Sequence, residues 1–197
     1  MGYYQLLYQS TMTQLLASTY GYYNNGDKYI NVGSFTDYQG RIFSEGYMDA
    51  SYIREMQRLA TLKDPNANQN LIAIGDIMFV LILQRITDTY GDVPYSQAAK
   101  AMQGIKYPVY DSQQEIYNYM LRDLESAIGR LDTSKPLPTA DLFYKGDINK
   151  WKKFGYSLML KVAMRMTKVD LNKARIWAEK ASANTFGSID DNAIVVT

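Results

Sequence analysis

Asn70-Leu71-Ile72-Ala73-Ile74-Gly75-Asp76-Ile77-Met78-Phe79-Val80-Leu81-Ile82-Leu83-Gln84-Arg85-Ile86-Thr87-Asp88-Thr89-Tyr90 decides the fold class. Its middle is apolar on almost every face of a helix, the pattern of a helix enclosed by other helices. Upstream, Asp64-Pro65 stops the preceding segment; downstream, Gly91 and then Pro94 supply the usual punctuation of a helix C-terminus. Asp76 and Arg85 leave only the stretch Ile77 to Gln84 free of charge, against the ~20 apolar residues needed to cross a bilayer. Residues 70–90 are therefore expected to be the buried centre of a helical domain and not a membrane span.

Working outward, helical spacing returns on both sides. Residues 47–63 carry it through Tyr52, Met56, Leu59 and Leu62, and residues 3–18 through Tyr4, Leu7, Tyr8, Leu15 and Leu16. Between them, residues 19–46 interleave Gly and Asn with aromatics at no clean period, which predicts a long structured loop. An extended connector runs to Pro108. Asp111 with Gln114 then predicts a capping box, with Glu115 in the first turn, opening a helix whose stripe is Ile116, Met120, Leu124, Ala127 and Leu131. Lys135-Pro136-Leu137-Pro138 breaks the pattern. Asp147 caps a helix through Trp151, Phe154, Leu158, Val162 and Met166, and Asp170 caps a last one over 171–184. Only Ala193-Ile194-Val195-Val196 has strand character. The expectation is an all-α fold, one domain over residues 1–197 with about six helices in successive pairs joined by long loops. The pairing hints at helical repeats, although no fixed 34-residue signature recurs.

Composition excludes much chemistry. The 197 residues contain no His and no Cys, which removes Ser-His-Asp and Cys-His nucleophiles, histidine acid–base catalysis, disulfides and thiolate or imidazole zinc sites. Lys+Arg 21 against Asp+Glu 20 leaves a formal charge of +1, so no nucleic-acid partner is expected. No glycine-rich phosphate loop is present, and no cofactor or metal is expected. The opening residues lack the basic, apolar, small-residue order of a signal peptide.

The remaining candidates are few. Asp76, Asp88 and Asp92 are the carboxylates a glycosidase would use, but Asp76 and Asp88 lie ~18 Å apart along one helix, beyond the ~5–10 Å such chemistry needs. Ten Lys and Arg between Lys145 and Lys180 face only Asp147, Asp170 and Glu179, which reads as a solvated basic face. Met159, Met164 and Met166 read as core filler. Tyrosine is the positive anomaly, 18 against 6 Phe and 2 Trp. Sugar rings stack C–H faces on aromatic rings and pair hydroxyls with amides, so Tyr22, Tyr23, Asn24, Asn25 and Tyr29 are the candidate ligand-binding residues.

Thr87-Asp88-Thr89-Tyr90-Gly91-Asp92-Val93-Pro94-Tyr95-Ser96-Gln97-Ala98, followed by Pro108-Val109-Tyr110-Asp111-Ser112-Gln113-Gln114-Glu115-Ile116-Tyr117, resembles the SusD/RagB-like family of Bacteroidetes outer-membrane lipoproteins. Tyr144-Lys145-Gly146-Asp147-Ile148-Asn149-Lys150-Trp151-Lys152-Lys153-Phe154 and Ser157-Leu158-Met159-Leu160-Lys161-Val162-Ala163-Met164-Arg165 look like the same family's next block. The resemblance implies tetratricopeptide-like helix pairs and a non-catalytic, surface-exposed lipoprotein. Such a protein captures an oligosaccharide or other small nutrient as a lid on a TonB-dependent β-barrel transporter. It also implies that residues 1–197 are the N-terminal part of a longer protein, anchored to the outer membrane by a lipid on a Cys outside this sequence. Tyr90, Gly91, Asp92, Pro94 and Tyr95 are expected to fix a helix end and its loop, and Asp147 with Trp151 to cap and bury a helix. The fold alone equally allows an intracellular helical-repeat scaffold that binds protein segments.

Overall fold

The computed structural model describes residues 8–17, 27–30 and 34–195. Six α-helices occur among them: α1 (Ser10–Met12), α2 (Ser34–Lys63), α3 (Gln69–Tyr90), α4 (Gln113–Arg130), α5 (Ile148–Arg165) and α6 (Leu171–Ser182). No strand forms among the described residues; the one β-type pairing is an isolated bridge between Val93 and Asp111. Backbone packing divides the chain into two compact units, Met1–Asp49 and Ala50–Thr197, with the division inside α2.

In the larger unit, α3 is the centre, as its sequence predicts. Ala73, Ile77, Val80, Leu83 and Ile86 are inaccessible to solvent, and α3 packs on α4 and α5, α4 on α5, and α5 on α6. Its length and mean hydropathy of 1.6 match those of a membrane-spanning helix, but 67% of that stretch is buried inside the protein. Facing it are Ile116, Met120, Leu124 and Ala127 of α4 and Met159, Val162 and Ala163 of α5. Gly155 sets how closely α5 approaches. A Cβ there would stand 2.7 Å from Ile128 Cγ1 and 3.3 Å from Ile77 Cδ1, closer than packed carbons allow.

The polar residues of α3 tie it down. Asn70 is fully buried; its Nδ2 donates to the Asp132 (2.8 Å) and Pro136 (3.1 Å) carbonyls, and its Oδ1 accepts from the Asp132 N–H (2.9 Å). Gln69 Nε2 donates to the Arg130 carbonyl, closing the end of α4. Asp76 accepts from Arg54 (2.7 Å), Gln57 (2.9 Å) and Arg130 (2.5 Å), joining α2 and α4 across α3.

Three local expectations are corrected. Helix α2 begins at Ser34, where the sequence reading placed loop up to Gly46. Tyr38, Ile42, Gly46 and Ala50 are buried four residues apart, and Arg41 pairs with Asp37 and Glu45 one turn either side. That stripe outweighs the ~1 kcal/mol each of Gly40 and Gly46 costs a helix. The helix expected over 3–18 stops at Met12 among the described residues: Gln14 takes a positive φ of 55°, and Leu15 and Leu16 are exposed. The capping box on α4 is Ser112 with Glu115, one residue later than Asp111 with Gln114. Residues 193–195 take no regular secondary structure, and Val196 lies outside the described residues.

Candidate functional site

The segment from Thr87 to Asp111 folds into a brace. Gly91 follows α3 at φ 77°, a conformation that suits glycine, and Thr87 Oγ1 donates to its carbonyl. The Asp92 carboxylate accepts from the Gln113 N–H at the first turn of α4, while Gln113 Nε2 donates back to the Thr87 carbonyl. Asp111, freed from the capping role, accepts from the Tyr95 and Ser96 N–H groups and from Ser96 Oγ. Burial opposes its ionisation, but those donors win and hold its carboxyl below the usual range. Pro94 and Tyr95 are buried, Tyr90 half-buried; the Tyr95 hydroxyl donates to Asp123 and its ring stacks on Tyr119.

The second matched block is equally framed. Asp147 accepts from the Asn149 and Lys150 N–H groups at the start of α5. Trp151 is buried, and its Nε1–H donates to Asp141 (2.7 Å) amid the rings of Phe143, Tyr144 and Phe154.

The three carboxylates weighed for glycosidase chemistry are each held by donors. Asp76 lies between Arg54 and Arg130, Asp88 accepts from Tyr117 (2.5 Å), pairs with Arg165 (3.2 Å) and accepts from Gln84, and Asp92 serves α4. Half of the basic segment's ten Lys and Arg are matched too: Lys153 with Asp191, Arg165 with Asp88, Lys173 with Asp170, Arg175 with Glu179 and Lys180 with Glu125. Met159 and Met166 are core residues, whereas Met164 is exposed. Among the described residues no cluster of three or more His, Cys, Asp or Glu could hold a metal ion.

Of the candidate binders, Tyr22, Tyr23, Asn24 and Asn25 lie outside the described residues. Tyr29 sits in the turn over residues 27–29 at φ 58°, with 60% of its surface exposed. Two rings that the sequence reading passed over are more open: Tyr107 at 93% and Tyr110 at 66%, on the connector between α3 and α4. The signal for them was the Lys106-Tyr107-Pro108-Val109-Tyr110 run, whose extended Pro-bearing backbone cannot bury side chains in a helix stripe.

A cleft of about 340 Å³ opens where the start of α4, the end of α5 and the start of α6 converge. Gln113, Gln114 and Tyr117 line one side, Arg165, Met166 and Val169 another, and Asp170 and Lys173 the third.

The model of a SusD-like family, described as starch-binding and associating with the outer membrane, matches residues 4–197. The chain belongs to the SusD-like family. Among solved structures, a chitin-binding protein is 34% identical over 98% of this chain, with a TM-score of 0.85. A SusD homologue from Parabacteroides distasonis is 28% identical over 95%, at 0.82, and one from Bacteroides uniformis 31% identical over 73%, at 0.61. This SusD-like chain spans 42%, 36% and 30% of those three proteins' lengths. No curated protein sequence matches it. The family supports carbohydrate binding and outer-membrane association at the family level, and the all-α fold agrees with its members.

Proposed function

We propose that this SusD-like chain belongs to a non-catalytic, surface-exposed lipoprotein of the outer membrane that captures oligosaccharides for a TonB-dependent β-barrel transporter. The observation that carries the reading is the match of a starch-binding, outer-membrane family over residues 4–197. A formal charge of +1 supports it, because a neutral glycan gains little from a charged surface. The family match is what favours import over the intracellular scaffold, which the fold alone would serve as well.

Within this reading, Tyr22, Tyr23, Asn24, Asn25 and Tyr29 contact the sugar. The exposed Tyr29 ring gives a C–H face something to stack on, and ring stacking contributes about 0.5–1.5 kcal/mol beyond burial. The neighbouring chitin-binding structure and the starch-binding family name two probes, chitohexaose and maltohexaose. Calorimetry on the full-length protein should show one of them binding, and replacing all five residues by Ala should weaken it at least tenfold. Unchanged affinity would remove these residues from the site. Absence of binding by either glycan, together with failure of the full-length protein to co-purify with a β-barrel from outer membranes, would overturn the reading as a whole.

A further inference from the structure

The cleft between α4, α5 and α6 plays no part in the loop reading and is built wholly within Ala50–Thr197. Its volume of about 340 Å³ sits at the lower end of the ~300–1,000 Å³ of small-molecule sites, the size for a short ligand or a chain end. Tyr117, Met166 and Val169 give it apolar wall; Gln113, Gln114, Arg165, Asp170 and Lys173 give it hydrogen-bonding groups. That mixture suits a molecule with both C–H faces and hydroxyls.

Charge decides which such molecule. Arg165 lies 3.2 Å from Asp88, and Lys173 lies 3.7 Å from Asp170 and 2.9 Å from Asn118 Oδ1. Each cation of the cleft is already matched by a carboxylate, so a phosphate or acidic ligand finds no surplus positive charge and would have to displace a partner. An uncharged polyol displaces nothing.

The lining is also set in advance. The Tyr117 hydroxyl is pinned on Asp88 (2.5 Å), Gln113 Nε2 on the Thr87 carbonyl (2.8 Å), and Lys173 on Asn118. Groups already fixed lose little freedom when a ligand arrives. Gln114, exposed at the mouth, has no side-chain partner among the described residues and is the group with hydrogen bonds left to give.

We infer that this cleft binds a short neutral sugar or the end of a glycan chain, with Gln114 and the pinned amide and cations meeting its hydroxyls and Tyr117, Met166 and Val169 its apolar face. The inference rests on the carbohydrate reading above and adds a site to it. The test titrates the full-length protein with maltose, chitobiose, digalacturonate and the two hexasaccharides. Val169→Trp, at a position 83% exposed, fills the mouth without entering the core, and Gln114→Ala removes the open amide. Circular dichroism and melting temperature confirm that both variants fold.

The expected result is a disaccharide affinity at least tenfold weaker in Val169→Trp and several-fold weaker in Gln114→Ala. Neutral disaccharides binding both variants as tightly as wild type would overturn the cleft and leave the carbohydrate reading standing. The same holds if only the hexasaccharides bind the wild type. Tighter binding of digalacturonate than of either neutral disaccharide would overturn the neutral assignment. If no sugar binds the wild type at all, the cleft inference falls, and the carbohydrate reading falls with it when the β-barrel also fails to co-purify.

Discussion

Asn70 does what no apolar residue at its position could. It is fully buried on the first turn of α3 and satisfies an N–H and several carbonyls of the Asp132 to Pro136 turn, 62 to 66 residues away. Removing it leaves those backbone groups buried without partners, so Asn70→Ala is expected to cost about 2–4 kcal/mol, read as a lower urea midpoint at unchanged slope. Asn70→Asp should be no milder, because a carboxylate cannot donate to those carbonyls. From sequence, Asn70 reads as one polar residue before an apolar run, and its partners cannot be inferred from local pattern. Asp147 is the contrary case. Its cap on α5 was legible because the donors it serves lie two and three residues ahead.

At the level of elements, legibility follows the strength of the apolar stripe. Helices α3 to α6 were readable because their stripes are long and bounded by Gly, Pro or a cap. The first half of α2 was not, since its buried positions among the described side chains are Tyr38, Ile42 and Gly46, and its glycines imitate loop punctuation. The one-residue shift of the α4 cap has a similar origin: Asp111 and Ser112 both suit the role, and the brace to Tyr95 and Ser96 claims Asp111. Helix approach is a testable property of α5. Gly155→Ala should force Ile128 aside and destabilise by about 1–3 kcal/mol, and the cost should be smaller when Ile128→Ala, which removes the clashing Cγ1, is already present in the chain. A fully additive pair of effects would show that Gly155 is not the close contact.

For the whole molecule, the titration of buried carboxylates predicts acid sensitivity. Burial raises the Asp76 carboxyl, yet hydrogen bonds from Arg130 and Gln57 and the charges of Arg54 and Arg130 more than offset this and hold it below the ordinary value. Asp191, held by Lys153 and the Gly187 N–H, is lowered to about 2, and Asp111 is lowered as well. A carboxyl lowered by folding stabilises above its unfolded pKa of ~3.9 and loses that contribution as pH falls through the folded value. Asp123 runs the other way: burial raises it, so its contribution is present at low pH and fades as pH rises through its folded value. With five carboxyls lowered, Glu55 and Asp132 among them, against one raised, denaturant midpoints should drop as pH falls from 4 to about 2. A flat profile across that window would contradict the arrangement. At this scale the sequence carried the all-α class, the family resemblance and the absence of His and Cys chemistry. It did not carry the cleft, which exists only because α4 residues meet residues 48 to 60 positions further on where α4, α5 and α6 converge.

The brace at Val93 and Asp111 also separates what is free to vary from what is not. Because the bridge and the Asp92 to Gln113 hydrogen bond clamp both ends of the α3–α4 connector, its span from Ala101 to Tyr110, past the buried Ala98, is a closed excursion whose length does not set the spacing of the helices. Insertions, tags or sequence drift there rewrite the exposed Met102, Tyr107 and Tyr110 face while the scaffold beneath keeps its register. The connector is thus a place where new surface can be tried at little structural risk, a natural port for laboratory grafting and for divergence.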